Sequence, residues 1–418
     1  MINIVQKKVL ILALFAGEIM MKSGAEIYRV EDTVQRICKA CKIDYVECFA
    51  TTTGIFLSLD SRGEDAAMHT FIKRIKGSAI DLDKISRVNE FSRVFTTTSL
   101  SVEDGMEQLR EIRARTGYSF LARLIGAILV GAFYCPMFQG SFSDMFIAGG
   151  ISGVAFLVSD GIGRLAFPDF IRILISCMAA AGLVLAAAAL GAGDSISPVI
   201  IAATTIFMPG VAITNAARDF LSGDMLSGLA RFAEAGIAAV AIATGVGFGI
   251  QLWLLGGGHI SGERTVEFAT PWFLLFGFFS TLGFVFIFNA PRKHLASISA
   301  IGAVGMFVFE LLYNGYGMVS ACFFGTCVIA ILSEICSRAG KDATTIFIIP
   351  GIIPFVPGAL LYETMRSMLV SDYTEAVSTG TQALLVAGSI AIALVLIATF
   401  ARLILAVVKK FETFLSRS

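Results

Sequence analysis

Thr204-Thr205-Ile206-Phe207-Met208-Pro209-Gly210 returns later in the chain as Thr344-Thr345-Ile346-Phe347-Ile348-Ile349-Pro350-Gly351. Both copies lie inside long apolar runs. Proline removes a backbone N–H and clashes with the preceding turn, so each copy predicts a broken helix. In hydrocarbon, broken backbone survives only against protein or water. Pro209 falls about 12 residues into its run, roughly 18 Å of helix, and Pro350 about 8 residues into its own. Both interruptions are therefore expected near mid-depth, with Pro354 and Pro357 following in the second run. A proline suits the first turn of a restarted helix, whose free N–H groups sit at the positive end of the dipole. Such an end suits a carboxylate. The bland alternative is a pair of structural kinks.

Working outward, each copy sits in the fourth of five apolar segments. The first five run over about 119–138, 143–163, 170–191, 197–217 and 228–254. The second five run over about 270–290, 295–313, 318–337, 343–366 and 380–408. Each is near the ~20 residues that cross a bilayer. Five is odd, so the second half enters from the opposite side, the signature of an inverted-topology repeat. The fold expected is a polytopic α-helical membrane protein of ten transmembrane helices in two inverted five-helix repeats, residues 119–254 and 270–408.

Composition agrees. The 418 residues are 56% hydrophobic and only 15% charged, with 32 basic and 32 acidic side chains. About 25% charged is usual for soluble chains. Residues 1–118 carry 33 of these 64 charges, and the remaining 300 residues carry 31. The first part reads as a soluble α+β domain: helices near 3–23, 31–42, 82–98 and 102–115, and strands near 45–51, 54–59 and 68–75, with a turn at 60–63. Ser101, with Asp104 three residues on, is expected to cap the last helix. Lys7-Lys8 before Val9 to Ala16 has the outline of a short signal peptide, but the pattern continues smoothly as an amphipathic helix. Lys and Arg concentrate on alternate loops, which places the soluble domain and both termini in the cytoplasm of a cell-membrane protein. Zero net charge without a basic block argues against nucleic acid as a partner.

Several polar side chains stand out at membrane depth, where they are costly and usually face a cavity. After the first break, Thr214, Asn215, Arg218 and Asp219 share a helix face. After the second, Tyr362, Glu363 and Arg366 follow Pro357-Gly358, although groups near span ends can simply reach the interface. Asp160, Glu234, Glu310 and Glu334 are the other ionisable groups. Arg231 is expected to neutralise Glu234, and Arg338 to neutralise Glu334. Glu310 lacks a local partner and is the candidate proton-coupling carboxylate. Asn289 ends the sixth segment. In the soluble domain Glu26, Arg29, Glu31 and Asp32 form a charge cluster, read either as a helix start with salt bridges or as a gate at the inner mouth. Cys38 and Cys41 form a CxxC with Cys48 nearby; buried thiols of a reduced compartment are expected rather than a metal site. No HExxH, GxSxG or phosphate loop is present, and His69, His259 and His294 are scattered. No enzyme activity, metal or cofactor is expected. A membrane-embedded hydrolase and a passive channel are the minor alternatives.

Ala16-Gly17-Glu18 and Ser23-Gly24-Ala25-Glu26-Ile27-Tyr28-Arg29-Val30-Glu31-Asp32-Thr33 resemble the opening signature of the threonine/serine exporter family. Pro209-Gly210 through Asn215, Arg218-Asp219, Ser222-Gly223-Asp224, Ser227-Gly228 and Arg231 resembles the motif of its first membrane half. Phe288-Asn289-Ala290-Pro291-Arg292 and Ile349 through Gly358, which holds Pro350, Gly351, Pro354 and Pro357, resemble the second-half module, a separate chain in some members. The resemblance implies a ten-span secondary transporter with a cytoplasmic N-terminal domain, exporting threonine and serine, or succinate in two-chain relatives. Where the family usually has Pro-Leu, this chain has Pro354-Phe355, which leaves the solute open. The partners expected are a small amino acid or dicarboxylate, a coupling proton or ion, the lipid bilayer and, as an open expectation, further copies in a homo-oligomer.

Overall fold

The computed structural model describes residues 4–43, 45–59, 69–77, 79–165, 167–257, 265–369 and 371–415. The expected turn at 60–63, and also Met68, His259 and Arg264, lie outside the described residues.

The N-terminal part is built around α1 (Ile4–Lys22). Leu10, Leu12, Ala13, Ala16 and Met20 are fully buried, so this apolar helix is the middle of a core. It packs against α2 (Ile27–Ala40), α3 (Leu82–Thr97) and α4 (Val102–Ala114). Three antiparallel strands, β1 (Val46–Thr51), β2 (Gly54–Leu59) and β3 (His69–Arg74), pair in that order. Burial alternates along β1, as one wet and one packed face require. Ser101 accepts a hydrogen bond from the Asp104 N–H at 3.1 Å and caps α4 as expected.

The end of α1 matters most. Gly24 adopts φ +84°, the left-handed conformation that favours glycine. The Gly24 N–H bonds Met21 O and the Ala25 N–H bonds Met20 O, both at 3.1 Å, a Schellman closure. The second helix was expected from Glu31, but it starts at Ile27, behind an extended Glu26 (φ −67°, ψ 146°). The Glu26 side chain makes no cap hydrogen bond to α2, so it projects away from its own helix.

Beyond the N-terminal part, the described residues are mainly helical. Six helices are long and apolar enough to cross a membrane: Phe120–Phe138, Phe142–Arg164, Asp169–Ala189, Met225–Leu255, Arg292–Gly340 and Tyr373–Ile404. Counting two bent pairs as one each raises the number to eight among the described residues. In chain order these regions comprise α5 (Phe120–Tyr134), α6 (Phe142–Arg164), α7 (Asp169–Ala189), α8 (Ser197–Thr204), α9 (Gly210–Ser222) and α10 (Met225–Leu255). They continue with α11 (Trp272–Ile287), α12 (Leu295–Gly340), α13 (Thr344–Ile352), α14 (Gly358–Leu369) and α15 (Tyr373–Leu415). Inside α12, Gly317 has φ 75° and ψ 169°, so two helices meet end to end there. α5 and α11 cross where Gly126 and Gly283 face one another. A methyl on Gly126 would lie 2.7 Å from Gly283 O, and one on Gly283 2.6 Å from Gly126 O. Small residues let backbones approach this closely where no hydrophobic effect drives helices together.

Candidate functional site

The first interruption follows α8. A 3-10 turn over Thr205–Phe207 leads to extended Met208 (φ −63°, ψ 132°), then Pro209 (φ −79°, ψ 48°), and α9 starts at Gly210. The two segments diverge by 60°. The second interruption follows α13. A 3-10 turn over Ile353–Phe355 leads to Val356 (φ −62°, ψ 132°), then Pro357, and α14 starts at Gly358. The bend is 48°. Both residues before the proline are extended for one reason, since the ring excludes helical ψ from its predecessor.

The hydrogen bonds repeat as well. The Met208 N–H bonds Thr205 O at 3.0 Å, and the Val356 N–H bonds Ile353 O at 3.1 Å. The Gly210 N–H bonds Met208 O at 2.8 Å, and the Gly358 N–H bonds Val356 O at 2.7 Å. Ile213 and Leu361 then donate to Pro209 O and Pro357 O, both at 3.0 Å. Phe207-Met208-Pro209-Gly210 and Phe355-Val356-Pro357-Gly358 are the same backbone device.

This corrects the sequence register. Pro350-Gly351, the apparent counterpart of Pro209-Gly210, does not interrupt its helix: Pro350 lies inside α13 and is buried. Gly351 packs toward Ile329 on α12. Pro350 stands alone, so α13 carries the loss of one backbone bond. Pro354 and Pro357 act within four residues, and there the helix gives way.

The two breaks touch. A methyl on Gly210 would lie 2.7 Å from Ile353 Cδ1 and 3.3 Å from Val356 Cγ2. One on Gly358 would overlap the Met208 sulfur. Each restarted helix thus presents its glycine to the residue preceding the other break. In this arrangement the Gly210 and Gly358 amides are spent on their own turns. The next amides of α9 and α14 are those that helix geometry leaves without an intrahelical acceptor.

Beyond the first break, α9 meets the Gly24–Glu26 turn. Asn215 Nδ2 donates to Gly24 O at 3.3 Å, and Arg231 Nη2 donates to Ala25 O at 2.8 Å. Arg218 donates through Nη1 to Glu26 Oε1. The Thr345 hydroxyl, at the start of α13, donates to Glu26 Oε1 at 2.9 Å and accepts from Arg29 Nη1 at 2.9 Å. Arg29 also lies 3.6 Å from Glu26 Oε2. Glu26 is wholly buried. Burial works against its charge, but Arg218 and Arg29 outweigh it and hold the carboxyl below the usual glutamate range. Asp219 pairs with Arg231 at 3.1 Å. That partner was expected to serve Glu234. Asn215 and Asp219 are fully enclosed, and Asn215 Oδ1 and Thr214 Oγ1 have no hydrogen-bond partner among the described residues.

The remaining sequence candidates disperse. Glu31 Oε1 accepts from the Ala50 N–H at 2.7 Å and ties α2 to β1. Asp32 pairs with Arg36 on the surface. Asn289 (φ 50°) accepts from the Tyr118 N–H at 2.8 Å through Oδ1 and from the Asp83 N–H at 2.8 Å through its carbonyl, joining α3 to the end of α11. Glu310 on α12 is half-buried, with no hydrogen bond or ion pair among the described residues, and is not brought to this cluster. Glu363 is half-buried on α14; the side chain of Tyr362 lies outside the described residues. Glu334 pairs with Arg338 at 3.2 Å as expected. Burial pushes the Cys38 and Cys48 thiols up to about 12, so they are inert at neutral pH.

Sequence reasoning missed a second junction. Asp342 accepts from Ser86 Oγ at 2.5 Å, contacts His294 Nε2 at 2.8 Å and pairs with Lys293 at 2.5 Å. Burial opposes its charge, but hydrogen bonds from Lys293, Ser86 and His294 hold the carboxyl below the usual aspartate range. It also missed Thr345 as a ligand of Glu26, although the residue stands in the repeated motif.

A family model described as "Putative threonine/serine exporter" matches residues 11–253, and one described as "Threonine/Serine exporter, ThrE" matches residues 274–400. The chain belongs to the threonine/serine exporter family. It is 23% identical over 384 residues to a "Probable threonine/serine exporter" of Mycobacterium tuberculosis, covering 88% of this chain and 71% of that protein. It is 22% identical over 372 residues to a "Threonine/serine exporter" of Corynebacterium glutamicum, covering 86% of this chain and 75% of that protein. A "Probable succinate transporter subunit YjjP" of Klebsiella aerogenes is 24% identical over 242 residues, 57% of this chain and 91% of its own. No solved structure matches. Family and apolar helices together make this a multi-pass membrane protein of the exporter class.

Proposed function

We propose that this chain exports small carboxylate-bearing metabolites, threonine- and serine-type amino acids first, by alternating access driven by a proton or another ion. The observation that carries the reading is the reciprocal contact of two identical breaks, Met208 against Gly358 and Val356 against Gly210. Matched discontinuous helices meeting at one point are how secondary transporters build a site between inverted repeats.

The proposal includes ten spans. The Arg292–Gly340 helix has 49 residues, roughly 73 Å of helix against about 30 Å of hydrocarbon. Folding it back at Gly317 makes two spans. With α11, the two bent pairs and the other five long helices, this gives ten. The soluble unit is residues 1–118 and the halves are 119–254 and 270–408, with both termini cytoplasmic. The site comprises Pro209, Gly210, Thr214, Asn215, Arg218 and Asp219 from the first half, and Pro357, Gly358 and Tyr362 from the second. Pro350, Gly351 and Pro354 support it from behind. Glu310 is the proposed coupling carboxylate, with Glu363 as a second candidate. The touching breaks represent a closed state, and rocking of one half against the other would part them.

The second reading is export of a dicarboxylate, supported by the relative named as a succinate transporter subunit. Counterflow in proteoliposomes with labelled L-threonine, L-serine and succinate tests both. Saturable, gradient-driven flux is expected; lasting conductance or no flux of any of the three would overturn the exporter reading.

A further inference from the structure

Among the described residues, Glu26 is the side chain of the soluble unit that bonds both membrane halves. Its carboxylate is held by Arg218 of α9 and Thr345 of α13, with Arg29 behind. The arrangement has the chemistry of a carboxylate receptor: two guanidinium groups and a hydroxyl converge on the two oxygens of a buried carboxylate. The receptor groups Arg218 and Thr345 belong to the two halves, whereas the Glu26 side chain makes no cap hydrogen bond to its own helix.

We propose that Glu26 is an internal stand-in for the carboxylate of the exported solute, and that Arg218, Thr345 and Arg29 form the inner receptor the solute enters by displacing it. The inference rests on the exporter reading and deepens it.

Charge supports the exchange. With Glu26 seated, Arg29, Arg218 and Arg231 face Glu26 and Asp219. With Glu26 withdrawn, three guanidinium groups face a single carboxylate in a buried setting, which calls for another anion. Glu26 remains ionised where it sits, so it acts as a true anion.

The unpaired oxygens say what else the solute carries. Asn215 Oδ1 and Thr214 Oγ1 are buried oxygens without a hydrogen-bond partner among the described residues. Asn215 and Arg231, the ion partner of Asp219, both bond the Gly24–Ala25 carbonyls beside Glu26. A buried acceptor without a donor is costly and points to a missing group. An ammonium supplies three donors; a second carboxylate supplies none. The receptor therefore fits a zwitterionic amino acid better than a dicarboxylate. Displacement must also free Gly24 O and Ala25 O from Asn215 and Arg231, so solute entry moves the Gly24–Glu26 turn off α9.

The test uses the full-length protein in nanodiscs and proteoliposomes. L-threonine should bind Glu26→Gln about 3- to 10-fold more tightly than wild type, and succinate should bind either more weakly than threonine. Glu26→Ala should gain binding of acetate, which refills the vacant receptor. Arg218→Gln should lose threonine binding in both backgrounds. On the wild-type protein, saturating L-threonine should raise amide hydrogen exchange over residues 23–30. Counterflow of threonine with exchange at 23–30 unchanged, or with Glu26→Gln binding no tighter, would overturn this inference and leave the exporter reading standing. Absence of all binding and flux would overturn both.

Discussion

The Met208 side chain fills the space that a side chain on Gly358 would occupy, and Ile353, with Val356 beside it, does the same at Gly210. Two helices interrupted far apart in sequence are thereby locked by one reciprocal contact. Gly358→Leu should overpack the crossing, at about 1–3 kcal/mol. Threonine counterflow should be lost while the protein still inserts and purifies as a monodisperse species. Adding Met208→Ala should restore part of the flux; if Gly358→Leu alone transports normally, the contact has no role in the cycle.

The two prolines of the second bent span should behave differently. Pro357→Ala restores a backbone donor and relieves the constraint holding Val356 extended, so α13 and α14 can merge. Counterflow should fall at least tenfold. Pro350→Ala removes a proline that the helix already accommodates, and flux should stay within about twofold. The opposite ranking in proteoliposomes would restore Pro350-Gly351 as the functional break.

Gly317 joins two helices at a φ/ψ pair reserved for glycine. Gly317→Val should cost about 1–3 kcal/mol, seen as a lower Tm in detergent. A cysteine at the neighbouring position, Gly315→Cys, in a chain with its own cysteines replaced, should react with an impermeant maleimide from outside the cell. Protection there, with labelling from the inner side only, would contradict the ten-span arrangement.

Asp342 makes one junction between soluble unit and second half pH-sensitive. Its folded pKa lies below the ordinary 3.8. Such a group stabilises fully above its unfolded pKa, and the contribution is lost as pH falls through the folded value. Tm should therefore drop as pH falls below the ordinary aspartate range. Asp342→Asn should lose about 1–3 kcal/mol at pH 7 and show a flatter acid limb. An unchanged Tm at pH 7 would remove Asp342 from the docking account.

Much of the helical layout was legible because its causes are local. Run length, Lys/Arg placement and proline chemistry act within one segment, so the apolar segments, the interruption at Pro209-Gly210 and the boundary between residues 313 and 318 could be read directly. The α2 start was misread because Glu31 resembles a first-turn acid, whereas the real helix end follows the Gly24 Schellman closure. The choice of Pro350-Gly351 over Pro357-Gly358 failed for a related reason. Identical letters were matched, but α13 accommodates Pro350, and the matching interruption falls at Val356-Pro357-Gly358 instead.

What the chain alone determined, then, is its division into a charged N-terminal unit and apolar helices, and the chemistry of a proline-glycine interruption. Those follow from side-chain transfer free energies and φ restriction, which need no partner. Which interruption faces which, and the burial of Glu26 between Arg218 and Thr345, were decided by packing alone. Those contacts join residues 192 and 319 positions apart. The desolvation and pairing that give them meaning exist only once α2, α9 and α13 converge.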